Sequence, residues 1–357
     1  MTVVAYVSGH GFGHSAREVE ILRHLPLEIP LVVKSAAPEW FWRQEVRRPF
    51  EFIRDSYDVG CIQTSSLDVD VSATLAAWQT VEAQNQARFP HEAAELRERE
   101  ARVVVTDVAS FPLTVAQAVE IPSLCVANFT WADIYANYVT QEPAFVPIVA
   151  DLQAQYASAT SVLETGLALP MPYFSHRESV GLVARPGTAR RADLLRLLGP
   201  KADGKRLALV YAGNWGLPVP WERLETFSDW HFVSLNALGA NKEVANVSVI
   251  AQSTMPHPDL VASVDLVISK LGYGIVGECL TNGTPLLYCP RAGFAEYAAI
   301  DQVLSRWPGG LLLPSDAYLS ADWKEALART PPFGSLSSWE APGGPAAAQR
   351  IISHWFA

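Results

Sequence analysis

The chain has 357 residues, of which 49% are hydrophobic and 18% are charged. This composition supplies a full apolar core and excludes a globally disordered protein, and at about 100–200 residues per domain the length indicates two domains. The formal net charge of −10 argues against a protein that binds nucleic acid or an anionic membrane, because a phosphate surface requires a basic face.

The cysteines and the amino terminus show no pattern typical of a secreted or membrane protein. The four cysteines are scattered and include no C-x-x-C pair, so we expect neither a disulfide framework nor a zinc site. The first residues lack the basic region of a signal peptide, and no run of about 18 apolar residues is present. We therefore expect a cytoplasmic protein without a membrane span.

The first 25 residues predict a strand, a glycine-rich loop and a helix. Residues 3–7 form a short β-branched run that is typical of a buried strand. The first glycine loop, residues 9–14, follows with the pattern G-x-G-x-G and two histidines. Ser15 with Glu18 three positions later predicts a capping box at the start of the helix.

Strand and helix patterns then alternate along the chain, which predicts parallel α/β sheets. Two clusters of breakers, at residues 169–172 and 185–187, separate two such patterns, and the second pattern begins with the strand 206–211. We predict two Rossmann-like domains whose sheets face a central cleft. Their expected bounds are residues 1–170 for the first domain, 171–204 for a linker and the start of the second domain, 205–344 for the second domain, and 345–357 for a final helix.

The two histidines of the first glycine loop are candidates for a catalytic base, since histidine exchanges a proton near neutral pH. His14 is favoured because it lies at a helix start, and His10 is its rival. Asp107 follows a predicted strand and could orient the imidazole, although an ordinary helix N-cap is the alternative. A dinucleotide site is disfavoured, because Lys34 lies near the position where an acidic residue would be needed.

A second glycine loop, residues 269–274, follows the predicted strand 265–268. Backbone N–H groups at Gly272 and Gly274, together with the dipole of the next helix, would cradle a phosphate, and Lys270 would add a positive charge. The loop lacks the G-x-x-x-x-G-K-[ST] pattern, which excludes a P-loop kinase.

These motifs together resemble the GT-B glycosyltransferases. The pattern D-L-V-I-S-x-x-G-x-G-x-x-x-E at residues 265–278 carries the likeness. More narrowly, four segments resemble the amino-terminal, glycosyltransferase-like domain of plant-type L-arabinokinases: residues 9–14, 58–63, 128–135 and 270–278. The likeness does not extend to the sugar-kinase domain of those bifunctional proteins. We therefore expect no kinase activity here, and the resemblance suggests a separate sugar kinase as one partner.

The resemblance implies that the first domain binds an acceptor, that the second binds a nucleotide-sugar donor, and that the last helix returns to the first domain. It implies an inverting, metal-independent transfer from a UDP-sugar without a further cofactor, with His14 as the base and Asp107 as its partner. The expected donor contacts are Gly13, Asn214, Trp215, Met255, Lys270, Gly272, Tyr273, Gly274, Glu278, Arg291 and Glu296. The expected acceptor contacts are Phe12, Asn128, Trp131, Asp133 and Tyr135.

Several of these expectations have structural alternatives. The resemblance implies that Glu278 holds the ribose and that Glu296 holds a sugar hydroxyl. Tyr297 stands where the family carries glutamine, so the sequence does not decide which sugar is transferred. The cluster at residues 128–135 could cap and pack a helix under the cleft instead of stacking on an acceptor. Trp215 has the same two interpretations.

Two other functions remain open at this point. A nucleotide-sugar epimerase or hydrolase would use the same donor site together with carboxylates such as Asp58, Asp68 or Asp70, which are otherwise turn residues. A non-catalytic module that senses a nucleotide sugar would bind the ligand without turnover. Fold-level likeness alone does not decide among them.

Overall fold

The computed structural model describes residues 1–211, 213, 216–236, 243–291 and 293–357. Within these residues the strands form two sheets in which all paired neighbours are parallel, as the alternating sequence pattern predicted. The first sheet has the order β3-β2-β1-β4-β5-β6-β7. Its strands are β1 (Thr2–Val7), β2 (Leu31–Ser35), β3 (Glu51–Ile53), β4 (Ala101–Asp107), β5 (Ser123–Ala127), β6 (Ser161–Thr165) and β7 (Arg177–Gly181).

The second sheet has the order β10-β9-β8-β11-β12-β13. Its strands are β8 (Arg206–Tyr211), β9 (Trp230–Ser234), β10 (Val247–Val249), β11 (Leu266–Ser269), β12 (Leu286–Tyr288) and β13 (Gly310–Leu312). In each sheet the strand order reverses beside the first strand, between β1 and β4 and between β8 and β11. Ligands of open α/β sheets bind at such a switch point, beyond the carboxyl ends of the strands.

Helices connect the strands and cover both faces of each sheet. They are α1 (Phe12–Leu22), α2 (Glu39–Glu45), α3 (Val71–Glu98), α4 (Phe111–Ala118), α5 (Trp131–Ala136), α6 (Phe145–Ala157), α7 (Arg191–Leu198), α8 (His257–Ser263), α9 (Tyr273–Asn282), α10 (Glu296–Leu304), α11 (Ser315–Leu319), α12 (Lys324–Arg329) and α13 (Gly343–Phe356). Short 3-10 helices occupy Pro200–Ala202, Trp221–Thr226 and Gln252–Thr254. Because helices cover both faces, the central strands are almost wholly apolar and buried, as in β1.

Residues 171–204 contribute to both domains. Strand β7 completes the edge of the first sheet, whereas Leu194 and Leu198 of α7 pack into the core of the second domain. The final helix α13 packs against α1, β4 and β7 of the first domain. Among the described residues, no helix is both long enough and apolar enough to cross a membrane.

The predicted capping box at the start of α1 is wrong. The helix begins at Phe12 with Gly11 as its N-cap, and Gly11 adopts φ = 75°, which glycine tolerates. Ser15 and Glu18 therefore lie inside the helix. Both are buried, and among the described residues neither the Ser15 hydroxyl nor the Glu18 carboxyl has a hydrogen-bond partner. Burial accordingly raises the pKa of Glu18 well above its usual value.

Candidate active site in the interdomain cleft

A cavity of about 600 Å³ lies between the two domains. The first glycine loop lines one side, and the second glycine loop with the start of α9 lines the other. The two loops meet across the cleft, because a Cβ atom added to Gly274 would lie 3.6 Å from the Cα atom of Gly13. The cavity therefore opens at the switch points of both sheets.

His14, in the first turn of α1, is held by a buried carboxylate. Its Nδ1 atom lies 2.7 Å from Oδ1 of Asp107, the last residue of β4. The two meet because β1 and β4 are neighbours in register, with Val7 opposite Asp107. His14 lines the cavity, whereas Asp107 is completely buried behind it.

Arg17 fixes Asp107 in turn. Its Nε and Nη2 atoms donate to the two carboxylate oxygens at 2.7 Å and 2.6 Å, and Nη1 donates to Oδ1 of Asn128 at 2.5 Å. Burial acts to raise the pKa of Asp107, but the charges of Arg17 and His14 hold it below its usual value. Asp107 is therefore an ionised carboxylate, able only to accept hydrogen bonds.

His10 has a different environment from His14. It packs edge-on against Trp131 at 5.5 Å between ring centroids. Gly60, at φ = 68°, approaches so closely that a Cβ atom there would lie 2.4 Å from His10 Nδ1. Burial, followed by the electrostatic effects of the neighbouring His14 and Lys270, lowers the pKa of His10 to about 3. His10 is therefore a neutral and weakly basic ring at physiological pH.

The second-domain side of the cavity presents the amino-terminal end of α9. The helix begins at Tyr273 after Gly272, and both residues line the cavity. Lys270 lines it as well. Burial, followed by the positive charge of Arg291, lowers the pKa of Lys270 to about 7. Free backbone N–H groups and the Lys270 side chain make this wall suited to an anion.

Glu278, one turn into α9, is held by the side chains of His257 and Arg185. His257 Nδ1 lies 2.6 Å from its Oε2 atom, and Arg185 Nη2 lies 3.3 Å from its Oε1 atom. Arg185 also contacts Oε2 of Glu45 in α2, at 2.5 Å. Burial acts to raise the pKa of Glu278, but His257 and Arg185 lower it. A ribose at Glu278 would have to share this carboxylate with both side chains.

Solved structures with a similar architecture include glycosyltransferases. No family model matches the chain. A UDP-glucosyltransferase from Polygonum tinctorium superimposes with a TM-score of 0.66 at 13% identity, covering 100% of this chain and 99% of that one. The glycotransferase of kitacinnamycin superimposes with a TM-score of 0.60 at 17% identity, covering 99% and 94%. The chain has the GT-B fold.

One curated relative is also similar in sequence to this GT-B chain. It is an L-arabinokinase from Arabidopsis thaliana, 29% identical over 330 residues. The match covers 91% of this chain but spans only 31% of the relative's length. The sequence likeness and the fold therefore agree with the resemblance that the motifs indicated.

The GT-B cleft brings together most of the residues that the sequence singled out. Those lining it are His10, Phe12, Gly13, His14, Asn128, Trp131, Met255, Lys270, Gly272, Tyr273, Gly274, Glu278, Arg291 and Glu296. Asn214 and Trp215 lie outside the described residues. Among the described residues, no group of three or more His, Cys, Asp or Glu side chains is arranged to hold a metal ion.

Two residues expected to contact the acceptor lie behind the wall instead. The Asp133 carboxylate caps α5 by accepting from the Thr130 N–H, and it also accepts from the Tyr173 hydroxyl. Tyr135 is buried and donates to the Gly60 carbonyl at 2.7 Å. The structural alternative therefore describes these two residues, whereas Phe129 and Trp131 are the aromatic residues of the cluster that line the cavity.

Sequence reasoning found Arg291 but missed Arg17, Arg185 and His257 of this site. Arg17 follows His14 by three positions, so both lie on one face of α1, and this spacing was the available signal. Arg185 stands in a breaker cluster with no periodicity. Its pairing with Glu45 and Glu278 depends on the packing of the two domains, which no local pattern records.

Proposed function

We propose that the chain transfers a sugar from a nucleoside diphosphate sugar to an acceptor hydroxyl, with inversion and without a metal ion. The observation that carries this proposal is the 2.7 Å contact between His14 and the buried Asp107 on one wall of the cleft, opposite the start of α9. It joins an oriented base to an anion-binding wall within one cavity.

The chemistry follows from the hydrogen bonds of the imidazole. Because the Asp107 carboxylate can only accept, His14 Nδ1 donates and Nε2 carries the lone pair. Nε2 takes the proton of the acceptor hydroxyl as its oxygen bonds to the anomeric carbon. The bond from that carbon to the diphosphate oxygen breaks, and the diphosphate leaves with the electron pair. Attack opposite the leaving group inverts the anomeric centre.

The leaving diphosphate would be stabilised by the donor wall. Backbone N–H groups at the start of α9 and the Lys270 ammonium present positive charge without a metal. The base of the nucleotide is proposed to be uracil. The similar solved structures include a UDP-glucosyltransferase and a second enzyme complexed with UDP-2fluoro-glucose, although another is complexed with DTDP.

One observation favours a second candidate, hydrolysis or epimerisation of the nucleotide sugar. Asp58 lines the cavity, and its carboxylate accepts from Trp131 Nε1 at 2.8 Å and from the Ser8 hydroxyl at 3.0 Å. Burial raises its pKa, which suits a proton donor. The other two acids are structural: Asp70 caps α3, and Asp68 accepts from Ser65.

The test is to incubate the chain with a panel of UDP-sugars and dTDP-sugars, with and without a mixture of sugar and phenolic acceptors. We expect nucleoside diphosphate release that requires an acceptor, together with a new glycoside. Release of free sugar or formation of an epimer without an acceptor would replace the proposal by the second candidate. Tight binding of a nucleotide sugar with no product under any condition would leave only a sensing role.

A further inference from the structure

Arg291 stands out among the arginines that line the cleft. Three arginines line it, and two of them form ion pairs with buried carboxylates: Arg17 with Asp107, and Arg185 with Glu278. Arg291 is only 6% exposed. Yet it forms no ion pair within the part of the chain that the structure describes, and its buried Nε atom has no hydrogen-bond partner there. Burial lowers the pKa of Arg291 to about 10, although the charge of the Glu296 carboxylate acts to raise it. A buried charge without an ion-pair partner is costly, so this position calls for an anion.

The guanidinium is nonetheless held in a fixed place. It lies 3.1 Å above the ring centroid of Phe294, and Nη1 donates to the Leu271 carbonyl at 3.2 Å. These contacts use one face and one N–H group of the guanidinium, so its other N–H groups remain available to donate to a ligand. A fixed guanidinium with open donors is suited to a carboxylate or phosphate, which it can bind through two parallel hydrogen bonds.

The loop that carries Arg291 lies against the acceptor domain. The Tyr138 hydroxyl donates to the Gly293 carbonyl at 3.0 Å, and Asn128 Nδ2 donates to Glu296 Oε2 at 3.1 Å. Burial raises the pKa of Cys61, another residue of that domain, and the charge of Arg291 opposes this rise. Arg291 thus faces the wall where an acceptor and the transferred sugar would meet.

We infer that Arg291 binds a carboxylate or phosphate group of the transferred sugar or of the acceptor, so that one of the two substrates is acidic apart from the diphosphate. This inference rests on the proposed function. It names the class of substrate for the same cleft. The group could belong to a uronic acid in the donor or to a sugar phosphate used as acceptor. The carboxylate is planar and the phosphate is tetrahedral, but each presents two oxygen atoms that the guanidinium can bind.

The experiment is isothermal titration calorimetry on the full chain with matched acidic and neutral ligands. UDP alone measures the donor site. UDP-glucuronate against UDP-glucose tests an anion on the donor sugar. Glucose 6-phosphate against glucose, each with and without UDP, tests an anion on the acceptor. The variants are Arg291→Gln and, as an exposed control, Arg196→Gln, whose side chain is 77% exposed.

We expect one acidic ligand to bind at least about tenfold more tightly than its neutral counterpart, because a charge-assisted bidentate pair exceeds a neutral hydrogen bond. Arg291→Gln should remove that preference and leave UDP binding unchanged, whereas Arg196→Gln should keep it. Equal binding of acidic and neutral ligands in both arms would overturn the inference. So would a loss of UDP affinity in Arg291→Gln as large as its loss of acidic-ligand affinity, because Arg291 would then be a diphosphate contact.

Failure of the proposed function has a different signature. If UDP and dTDP do not bind the unaltered chain, the donor site is absent, while the titrations of glucose 6-phosphate and glucose without nucleotide still decide the role of Arg291. The unfolding temperature of the ligand-free variants distinguishes a ligand-binding role of Arg291 from a purely structural one. Because Arg291→Gln removes an unpaired buried charge, its unfolding temperature should stay unchanged or rise. The inference would be contradicted if the temperature fell in Arg291→Gln and returned to its original value in Arg291→Lys, with no ligand preference in either variant.

Discussion

The two walls of the cleft differ in how their charges are satisfied. The wall formed by the first domain is the acceptor wall of the proposed function, and the wall formed by the second domain is its donor wall. On the acceptor wall, one connected set of hydrogen bonds at 2.5–2.7 Å joins His14, Asp107, Arg17 and Asn128. On the donor wall, Arg291 forms no ion pair among the described residues and its Nε atom has no hydrogen-bond partner there, and burial lowers the pKa of Lys270 to about 7. The first wall is complete without a ligand, and the second is an electrostatic site that an anion would complete.

Under the proposed function, this difference corresponds to separate roles for the two domains: one orients the base and the other binds anionic groups. A base must be oriented before the reaction, and a closed hydrogen-bond network supplies that orientation. A leaving diphosphate and an acidic group of a substrate each bring their own negative charge, so their separate sites are best left with unpaired donors. Substitutions on the acceptor wall should therefore change turnover or stability, and changes on the donor wall should alter ligand affinity and its dependence on pH.

The largest effect is expected from His14→Ala. Loss of the base should lower turnover by about 10²–10⁴-fold, while UDP affinity stays unchanged because His14 belongs to the other wall. Steady-state kinetics and calorimetry measure the two quantities. His91→Ala, an exposed histidine in α3, is the matched control. Full turnover by His14→Ala would contradict the role of His14 as the base. A loss of UDP affinity in this variant would contradict the separation of base and donor binding between the two walls.

Asp107→Ala should break the acceptor wall itself. Arg17 would stay buried without a carboxylate, and the free energy of unfolding should fall by about 3–5 kcal/mol in urea titrations. The double variant Arg17→Met/Asp107→Ala leaves neither charge unpaired and should recover part of the loss. A double variant as unstable as the single one would show that packing, not charge pairing, holds this wall together.

The donor wall should respond to pH through Lys270. A bound diphosphate favours the ammonium form and raises its pKa above the value of about 7 in the free protein. Affinity is then highest below pH 7 and falls as the pH rises. The dissociation constant for UDP should increase about fivefold from pH 7 to pH 8, as the protonated fraction falls. Lys270→Gln should bind UDP more weakly and without this dependence; an unchanged pH profile in that variant would exclude Lys270 as the titrating group.

The smallest effect is expected from chelation. If protein groups alone stabilise the leaving diphosphate, an excess of EDTA should leave turnover unchanged. Recovery of activity by added Mg²⁺ or Mn²⁺ after an EDTA-induced loss would show that the donor wall needs a metal to complete it.

The sequence was sufficient to predict the fold and much of the cleft, because strands followed by glycine loops are local signals. The second glycine loop and the helix after it were predicted from residues 265–278 alone. The capping box at Ser15 failed because Gly11 lets α1 start a turn earlier than the polar pattern suggested. The unpaired state of Arg291 was not predictable, since it depends on which carboxylates the folded chain brings near, and local sequence does not record that.

The most direct test of the central claim is the anomeric configuration of the product. Proton NMR of a reaction with a UDP-α-linked sugar should show a β-linked glycoside forming at the same rate as UDP, and neither should form at a comparable rate with His14→Ala. An α-linked product, or UDP release that is independent of the acceptor and of His14, would contradict an inverting transfer in which His14 is the base.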